Sequence, residues 1–479
     1  MTASPPESHS ADSLRPRIRG TMNGRAMLVD FVLLKLYIRS DLKALIIQIL
    51  GVVNTPALDL RPTARQPIDF APAAVPRRAR LWCNRKRHGS NTDPLLQLSE
   101  VNSVSELDSA TWNRLAGDSP FLRHEFLSAL EQTGCVGAGT AWQPNHLLAF
   151  DDNRALLGAL PLYIKNDSRG EFVFDWGWAH AYEQAGLAYY PKLVCAVPFT
   201  PVTGQRLLIA ADASFGATAS ALLVAARALG ERIGASSLHV LFPTDSEQRF
   251  MSEAGLHRRK GYQFHWTNQN YDSFEAFLES FTSAKRKKVR RERRRIAEAG
   301  VRFEHLRGDE LSDSDWDAVF EFYSRTFLRR GRPPYLNRAF FAQVCRTMPE
   351  NLVVILARYG ADPIAAAICF RSGEALFGRY WGSLADFHSL HFEACYYQGI
   401  DYCISQGLQR FEPGTQGEHK ISRGFVPTPT WSSHWLSDSQ FDGALRELLQ
   451  REQLHVDAYM HELASHLPYR QSDDRPHQI

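Results

Sequence analysis

Residues 410–435 read RFEPGTQGEHKISRGFVPTPTWSSHW. QRFEPG runs into a proline and a glycine, the usual way for a strand to stop in a turn. GEHKISRGF then reads as a short helix and PTWSSHWL as a closing strand. The same order occurs earlier in the chain, where SLHVLF (237–242) is strand-like, SEQRFMSEAG (246–255) helical and KGYQFHWTN (260–268) strand-like again. FPTDSE answers EPGTQGE, and FHW answers SHW. Trp266 and Trp435 lie 169 positions apart, and Glu247 and Glu418 lie 171 apart. Two nearly equal spacings predict an internal duplication.

The flanking segments repeat in the same way. A long helix precedes each unit, ATASALLVAARALGERIGAS (217–236) in the first and HSLHFEACYYQGIDYCISQG (388–407) in the second. Before each helix come three strand-like stretches. They are HLLAFDD, ALLGALPLYIK and EFVFDWGWAH in the first unit, and LVVILARYGADPIAAAICFRSGEALFGRYWGS in the second. The first unit opens with two short helices over residues 105–134. The expected architecture is α/β, with mixed sheets built twice over.

That element order resembles the GNAT acyltransferase fold. Two tandem copies resemble the Fem-type peptidyl transferases, and the chain is similar to a bacterial family of N-acyltransferases labelled peptidoglycan biosynthesis/recognition. SPFLRHEFLSALE, DWGWAHAYEQAGLAYYPKLVCAVPFTPVTGQRLL, SAKRKKVRRERRR, LHFEACYYQGIDYCISQGLQRFEPGTQGEHKISRGF and the final SHW carry the likeness, which runs from about residue 97 to 470. It implies a tandem duplicated GNAT-like fold that moves an acyl or aminoacyl group from an acyl-CoA thioester or an aminoacyl-tRNA to an amine, in cell-wall precursor metabolism. Acetyl-CoA-using members carry a [Q/R]xxGx[G/A] loop before the long helix, and neither DASFGATAS nor SLADFHSLH matches it.

Composition agrees with a folded body of this kind. Hydrophobic residues make up 44% of 479, charged residues 22%, and the net charge is only +3, so no global field draws the chain to nucleic acid or a membrane. The seven cysteines are scattered without a CxxC pair, which argues against a disulfide framework or a zinc knuckle and fits a reducing cytoplasm. Residues 1–94 read as a poorly ordered extension. Their apolar run is interrupted by Asp30, Lys35, Arg39, Asp41 and Lys43, each costing about 2.5–3.5 kcal/mol at a membrane centre. That run is therefore a poor span; the alternative to a poorly ordered extension is an amphipathic helix on a membrane surface or against the main body. Residues 95–270 are expected to form the first GNAT-like domain and 271–470 the second, with the active site.

The opening stretch supplies the candidate chemistry. Direct acyl transfer to an amine needs a base for the ammonium proton and a donor for the tetrahedral oxyanion. Glu418 or His419 suits the first task and Lys420 or the backbone amides from Glu418 to Ile421 the second, although the same residues can cap and flank a helix. Glu393 shares an apolar stripe with Leu390, Tyr397, Ile400 and Ile404, so burial would raise its pKa and make it a base; pairing with Arg379 is the alternative. Arg379 and Glu412 are further candidates for holding substrate. His388 and His391 lack a suitably spaced third ligand, and no metal is expected.

Lys285 to Arg295 holds nine cations and one anion, Glu292, on a helix anchored by Phe281, Val289 and Ile296. Lys285, Arg286, Lys288, Arg291 and Arg294 are expected to bind phosphates of coenzyme A, a lipid-linked precursor or a tRNA. A non-catalytic protein that recognises RNA or a phosphorylated cell-wall precursor through this helix is the alternative reading. Trp176, Trp178, Tyr182, Tyr189 and Tyr190, flanked by Lys192 and Arg206, are expected either to form a stacking wall for an acceptor or to pack the two halves together.

Overall fold

The computed structural model describes residues 96–384, 387–415 and 417–470. The expected amphipathic segment near the N-terminus lies outside the described residues. All described residues fall within one compact unit. No helix among them is long and apolar enough to cross a membrane.

The strands are β1 (Gln97–Val101), β2 (Trp142–Pro144), β3 (His146–Phe150), β4 (Leu156–Leu160), β5 (Leu162–Lys165), β6 (Lys192–Cys195), β7 (Leu208–Ile209), β8 (Ser237–Leu241), β9 (His257–Thr267), β10 (Val301–Arg307), β11 (Leu352–Tyr359), β12 (Asp362–Arg371), β13 (Ala375–Ser383), β14 (Arg410–Glu412) and β15 (Val426–Leu436). Five helices matter below: α1 (Trp176–Gln184), α2 (Phe215–Ile233), α3 (Ser283–Glu298), α4 (Gln398–Ser405) and α5 (Ser439–Ser465). A small sheet has the order β1-β3-β4-β7, and a large one the order β10-β11-β12-β13-β14-β9-β15-β8-β6-β5-β2.

The duplication is visible in the large sheet. Each half contributes one parallel pair, β6 with β8 and β13 with β14, and the long helix of that half, α2 or α4, lies between the paired strands in sequence. A helix-spanning crossover is what a parallel pair requires. The terminal strands are exchanged: β9 of the first half pairs with β14 of the second, and β15 of the second pairs with β8 of the first. β9 and β15 then pair with each other from Val426↔His265 to His434↔His257, making the sheet continuous. The cores mix as well, since Phe121 and Phe126 of the first half pack within 5.5 Å of Phe370 of the second.

Gly382 shows how tightly β13 is covered. A Cβ there would fall 1.9 Å from the Phe322 carbonyl oxygen, so only glycine allows this approach. Two sequence expectations need correcting. ALLGALPLYIK is not one strand but two, β4 in the small sheet and β5 in the large one, divided at Pro161. EFVFDWGWAH is not a strand; Trp176 begins α1, whose inward stripe is Trp178, Ala181 and Tyr182. Trp176 and Trp178 alternate as a strand would, but burial follows the helical period through Tyr182.

Candidate functional site

β13 and β14 are paired only from Ala375↔Arg410 to Phe377↔Glu412. Beyond that point Gly378 lies against Pro413, and the chain turns away through Gly414 at φ 95° and Gly417 at φ 114°. Such backbone is open to glycine at little cost. The ladder therefore opens beyond this pair, at the C-terminal end of β14, the place where ligands enter sheets of this kind.

A 3-10 turn over Glu418–Arg423 borders the opening. It turns Lys420 inward until the residue is 1% exposed. Its ammonium donates to the Gly414 carbonyl at 2.6 Å and stands 5.9 Å from the centre of the Phe264 ring. No carboxylate among the described residues pairs with it. Burial without an anion pulls its pKa down to about 7. Glu418 and His419 sit exposed at the rim. Glu418 accepts a hydrogen bond from Tyr459, and the His419 ring meets the Tyr396 hydroxyl at 2.7 Å. His391 packs against both Tyr396 and His419. Desolvation, reinforced by Lys420 and Arg423, holds the His391 imidazole down to about 4, and desolvation, His391 and the same cations lower that of His419.

The opposite wall comes from both halves. Glu412 is buried, and one of its oxygens accepts from Arg410 Nε at 2.9 Å. The other oxygen has no hydrogen-bond partner and lies 3.7 Å from His265 Nε2 on β9. Burial keeps the His265 imidazole below its usual range. Arg379 donates to the Phe199 carbonyl, which fastens β13 to the first-half loop instead of pairing with Glu393. His265 was not singled out from the sequence. Its tripeptide FHW looked like a mark of the repeat, and only the exchange of strands brings it beside Glu412.

The basic helix α3 lies behind the 3-10 turn. Val289, Glu292 and Ile296 are buried on its inner side, and Phe281 just before it is buried too. Glu292 accepts from Arg423 Nη2 at 3.0 and 3.1 Å and from the Tyr397 hydroxyl. Arg423 also donates to the His419 carbonyl at 2.7 Å and lies 3.5 Å over the Phe392 ring. Glu393 belongs to this junction. One of its oxygens accepts from Arg293 Nε at 3.0 Å and from Gln398 at 2.8 Å, and burial raises its pKa. It begins a π-helical turn, Glu393–Tyr397, a feature frequent at functional sites. On the outer side Lys287, Lys288, Arg290, Arg291 and Arg294 line a shallow open depression. Arg294 pairs with Glu298 at 3.6 Å, whereas Lys285, Arg286, Lys288 and Arg291 make no ion pair among the described residues.

The first-half candidates do not form an acceptor wall. Trp178, Tyr182 and Tyr189 are buried. Trp178 packs on His239 and His434, Tyr182 on Phe441, and the Tyr189 hydroxyl donates to Asp175 at 2.7 Å. Tyr190 is half-buried against Ser168, and only Trp176 is well exposed. Lys192 is buried between Glu171 and Asp175. Arg206, also buried, donates to the carbonyls of Leu241, Gln205 and Val202 at 2.7–2.8 Å. Aromatic packing and ion pairing account for these side chains, although one oxygen each of Glu171 and Asp175 and the Tyr182 hydroxyl are buried without a hydrogen-bond partner. Arg206 also bridges the ends of β6 and β8, the counterpart pair: its backbone carbonyl accepts from Cys195 Sγ at 3.7 Å and its Nε donates to the Leu241 carbonyl. Glu247, the counterpart of Glu418, accepts from the backbone of Arg206, Leu207 and Thr244. Among the described residues no group of His, Cys, Asp or Glu is gathered in a way that could hold a metal ion.

The FemAB-like family, described as peptidoglycan biosynthesis/recognition, matches residues 103–471, and the chain belongs to it. No curated protein matches the sequence. Similar solved structures include FemX, with 11% identity over 73% of this chain and 99% of that one at a TM-score of 0.45. L-PGS from Bacillus licheniformis shares 12% identity over 74% of this chain and 98% of its own, with a TM-score of 0.42. A tandem GNAT protein from the clavulanic acid biosynthesis pathway shares 11% over 72% and 99%, with a TM-score of 0.39.

Proposed function

Starting from membership of a family described by peptidoglycan biosynthesis/recognition, we propose that the chain is an N-acyltransferase acting in cell-wall precursor metabolism. The reacting carbonyl enters where β13 and β14 part. The observation that carries this reading is Lys420: a buried ammonium without an anion, already donating to a carbonyl oxygen, that of Gly414. A substrate carbonyl taking the place of Gly414 would receive the same hydrogen bond, and that bond strengthens as the oxygen becomes an oxyanion.

The acceptor amine attacks the carbonyl carbon of an acyl ester or thioester. A C–N bond forms, and the C–O or C–S bond to the donor breaks. Glu412, with its bare oxygen, takes the proton released by the attacking nitrogen, and His265 beside it relays a proton to the leaving group. Glu418 and His419 at the rim border the entrance. The donor's phosphates lie along the outer stripe of α3, and Glu292–Arg423 joins that helix to the turn bearing Lys420. An acyl-CoA or an aminoacyl-tRNA meets this requirement. The compartment in this reading is the cytoplasm, in keeping with six described cysteines that are all free.

Steady-state turnover with a candidate donor and acceptor amine tests the proposal. Lys420→Met is expected to lower kcat by about 10²–10³, with little change in KM. Wild-type kcat in that variant would overturn it. Donor binding without turnover, lost on charge reversal of Lys288 and Arg291, would favour instead the non-catalytic reading through α3.

A further inference from the structure

The loop that follows β6 is buried although it has no regular structure: Ala196, Val197, Phe199, Thr200 and Val202 all lie in the interior. Each carbonyl of such a loop needs a donor. Every carbonyl from Val197 to Val202 has one. The Thr200 amide and hydroxyl donate to Val197 at 3.2 Å and Pro198 at 3.0 Å, the Val202 amide to Thr200 at 2.9 Å, and Arg206 Nη2 to Val202 at 2.7 Å. The other two are reached from the second-half site. Arg379 on β13 donates to Phe199, and Gln263 on β9 donates to Pro201 at 2.9 Å. Phe199 is held at φ 58°, in the left-handed region that a bulky residue keeps only where its surroundings over-determine it.

Gln263 meets the site with its other amide atom. It lies two positions before His265 on β9, so the two buried side chains share one face of the strand. A carbonyl can only accept, so the Gln263 nitrogen must face Pro201, and its oxygen is thereby turned to His265 Nε2 at 3.4 Å. The same imidazole nitrogen has the bare Glu412 oxygen 3.7 Å away. Amide and carboxylate oxygens both accept, and only a hydrogen on Nε2 suits the two together. Burial, helped by Arg410 and Lys420 against the pull of Glu412, keeps the imidazole below its usual range. A neutral ring with its hydrogen on Nε2 has its lone pair on Nδ1.

From this arrangement we infer that Gln263 is a positioning residue of the second-half site: clamped by the first-half loop through Pro201, it fixes the hydrogen of His265 on Nε2 and leaves Nδ1 as the nitrogen that takes up a proton. Satisfying the Pro201 carbonyl requires only a donor. Fixing a tautomer requires an acceptor at the other end of the same side chain, and an amide supplies both. The first half thereby takes part in the site without a reacting group of its own, since Arg206 holds Val202, the next residue of the loop. Only the effect on rate rests on the transfer reading above; the place of the hydrogen does not depend on it.

Nitrogen NMR of the full chain labelled on histidine is the test, with the His265 signals assigned by their loss in His265→Gln. Near neutral pH the wild-type ring is expected to carry a hydrogen on Nε2 and none on Nδ1. Gln263→Leu removes the acceptor, so the tautomer with hydrogen on Nδ1 should appear beside the first, and kcat should fall by about tenfold at unchanged KM. Gln263→Glu still presents an oxygen and should keep the hydrogen on Nε2. A hydrogen on Nδ1 in the wild type or in Gln263→Glu, or an unaltered tautomer in Gln263→Leu, would overturn the inference. A tautomer that shifts in Gln263→Leu while kcat stays the same would uphold it and tell against the part that the transfer reading gives to His265.

Discussion

The two openings of the duplicated sheet have the same backbone plan and opposite chemistry. In the first half, Arg206 is buried with three carbonyl partners, and Glu247 with three backbone donors. In the second half, Lys420 has one carbonyl and no anion, and Glu412 keeps a bare buried oxygen. Buried polar groups are normally satisfied, and the proposed site rests on the two beside β14 that are not fully so. A duplication allows this division, because one copy can maintain the sheet while the other retains groups that cost stability.

The largest effect on stability should come from the first-half opening. Arg206→Met strands two buried carbonyls and a part-buried one and is expected to destabilise the fold by about 3–5 kcal/mol in denaturant unfolding. Unchanged stability would remove the contrast. Next, Glu412→Gln should lower kcat by about 10²-fold without loss of stability, whereas Glu247→Gln should lower stability by about 1–3 kcal/mol and leave kcat alone. Finding the two effects interchanged would reverse the assignment of scaffold and site.

The halves should also respond differently to pH. Burial, helped by Lys192, holds His239 down to about 3. Between pH 6.5 and about 3 the unfolded chain therefore binds the extra proton, and stability falls on acidification; His239→Gln should flatten that fall. Lys420 loses its proton near pH 7 when folded and near 10.5 when unfolded. Between those values the unfolded chain again holds the extra proton, so stability rises with pH, and Lys420→Met should abolish that rise. Equilibrium unfolding across pH reads both. An effect on stability like that of Glu247→Gln, about 1–3 kcal/mol, is expected of Glu292→Gln, together with a higher KM for the donor, since it loosens α3 from the turn bearing Lys420.

Much of this contrast was legible in the sequence, but not its decisive part. Element order and the spacings of Trp266 to Trp435 and Glu247 to Glu418 disclosed the duplication, and glycines at 414 and 417 placed the turn. Strand exchange was not legible, because β9 and β15 have the same pattern whichever neighbour they take. His265 therefore stayed hidden until β9 was found beside β14. Glu418, His419 and Lys420 read as equals in the sequence; a 3-10 turn sends one of the three inward and leaves two at the rim. Trp176 to Tyr190 left two readings open because dense aromatics look alike whether they stack on a ligand or on a core; Trp178 and Tyr182 pack on His434 and Phe441 of the second half.

The central claim is tested most directly by the pH dependence of kcat in single-turnover transfer, read together with thermal unfolding of Lys420→Met. Lys420 acting as an ammonium predicts a wild-type rate that falls as pH rises through about 7. The variant should lack that limb, lose about 10²–10³ in rate, and unfold at a higher temperature than wild type. A variant that transfers at the wild-type rate with the same falling limb would show that Lys420 takes no part in the chemistry.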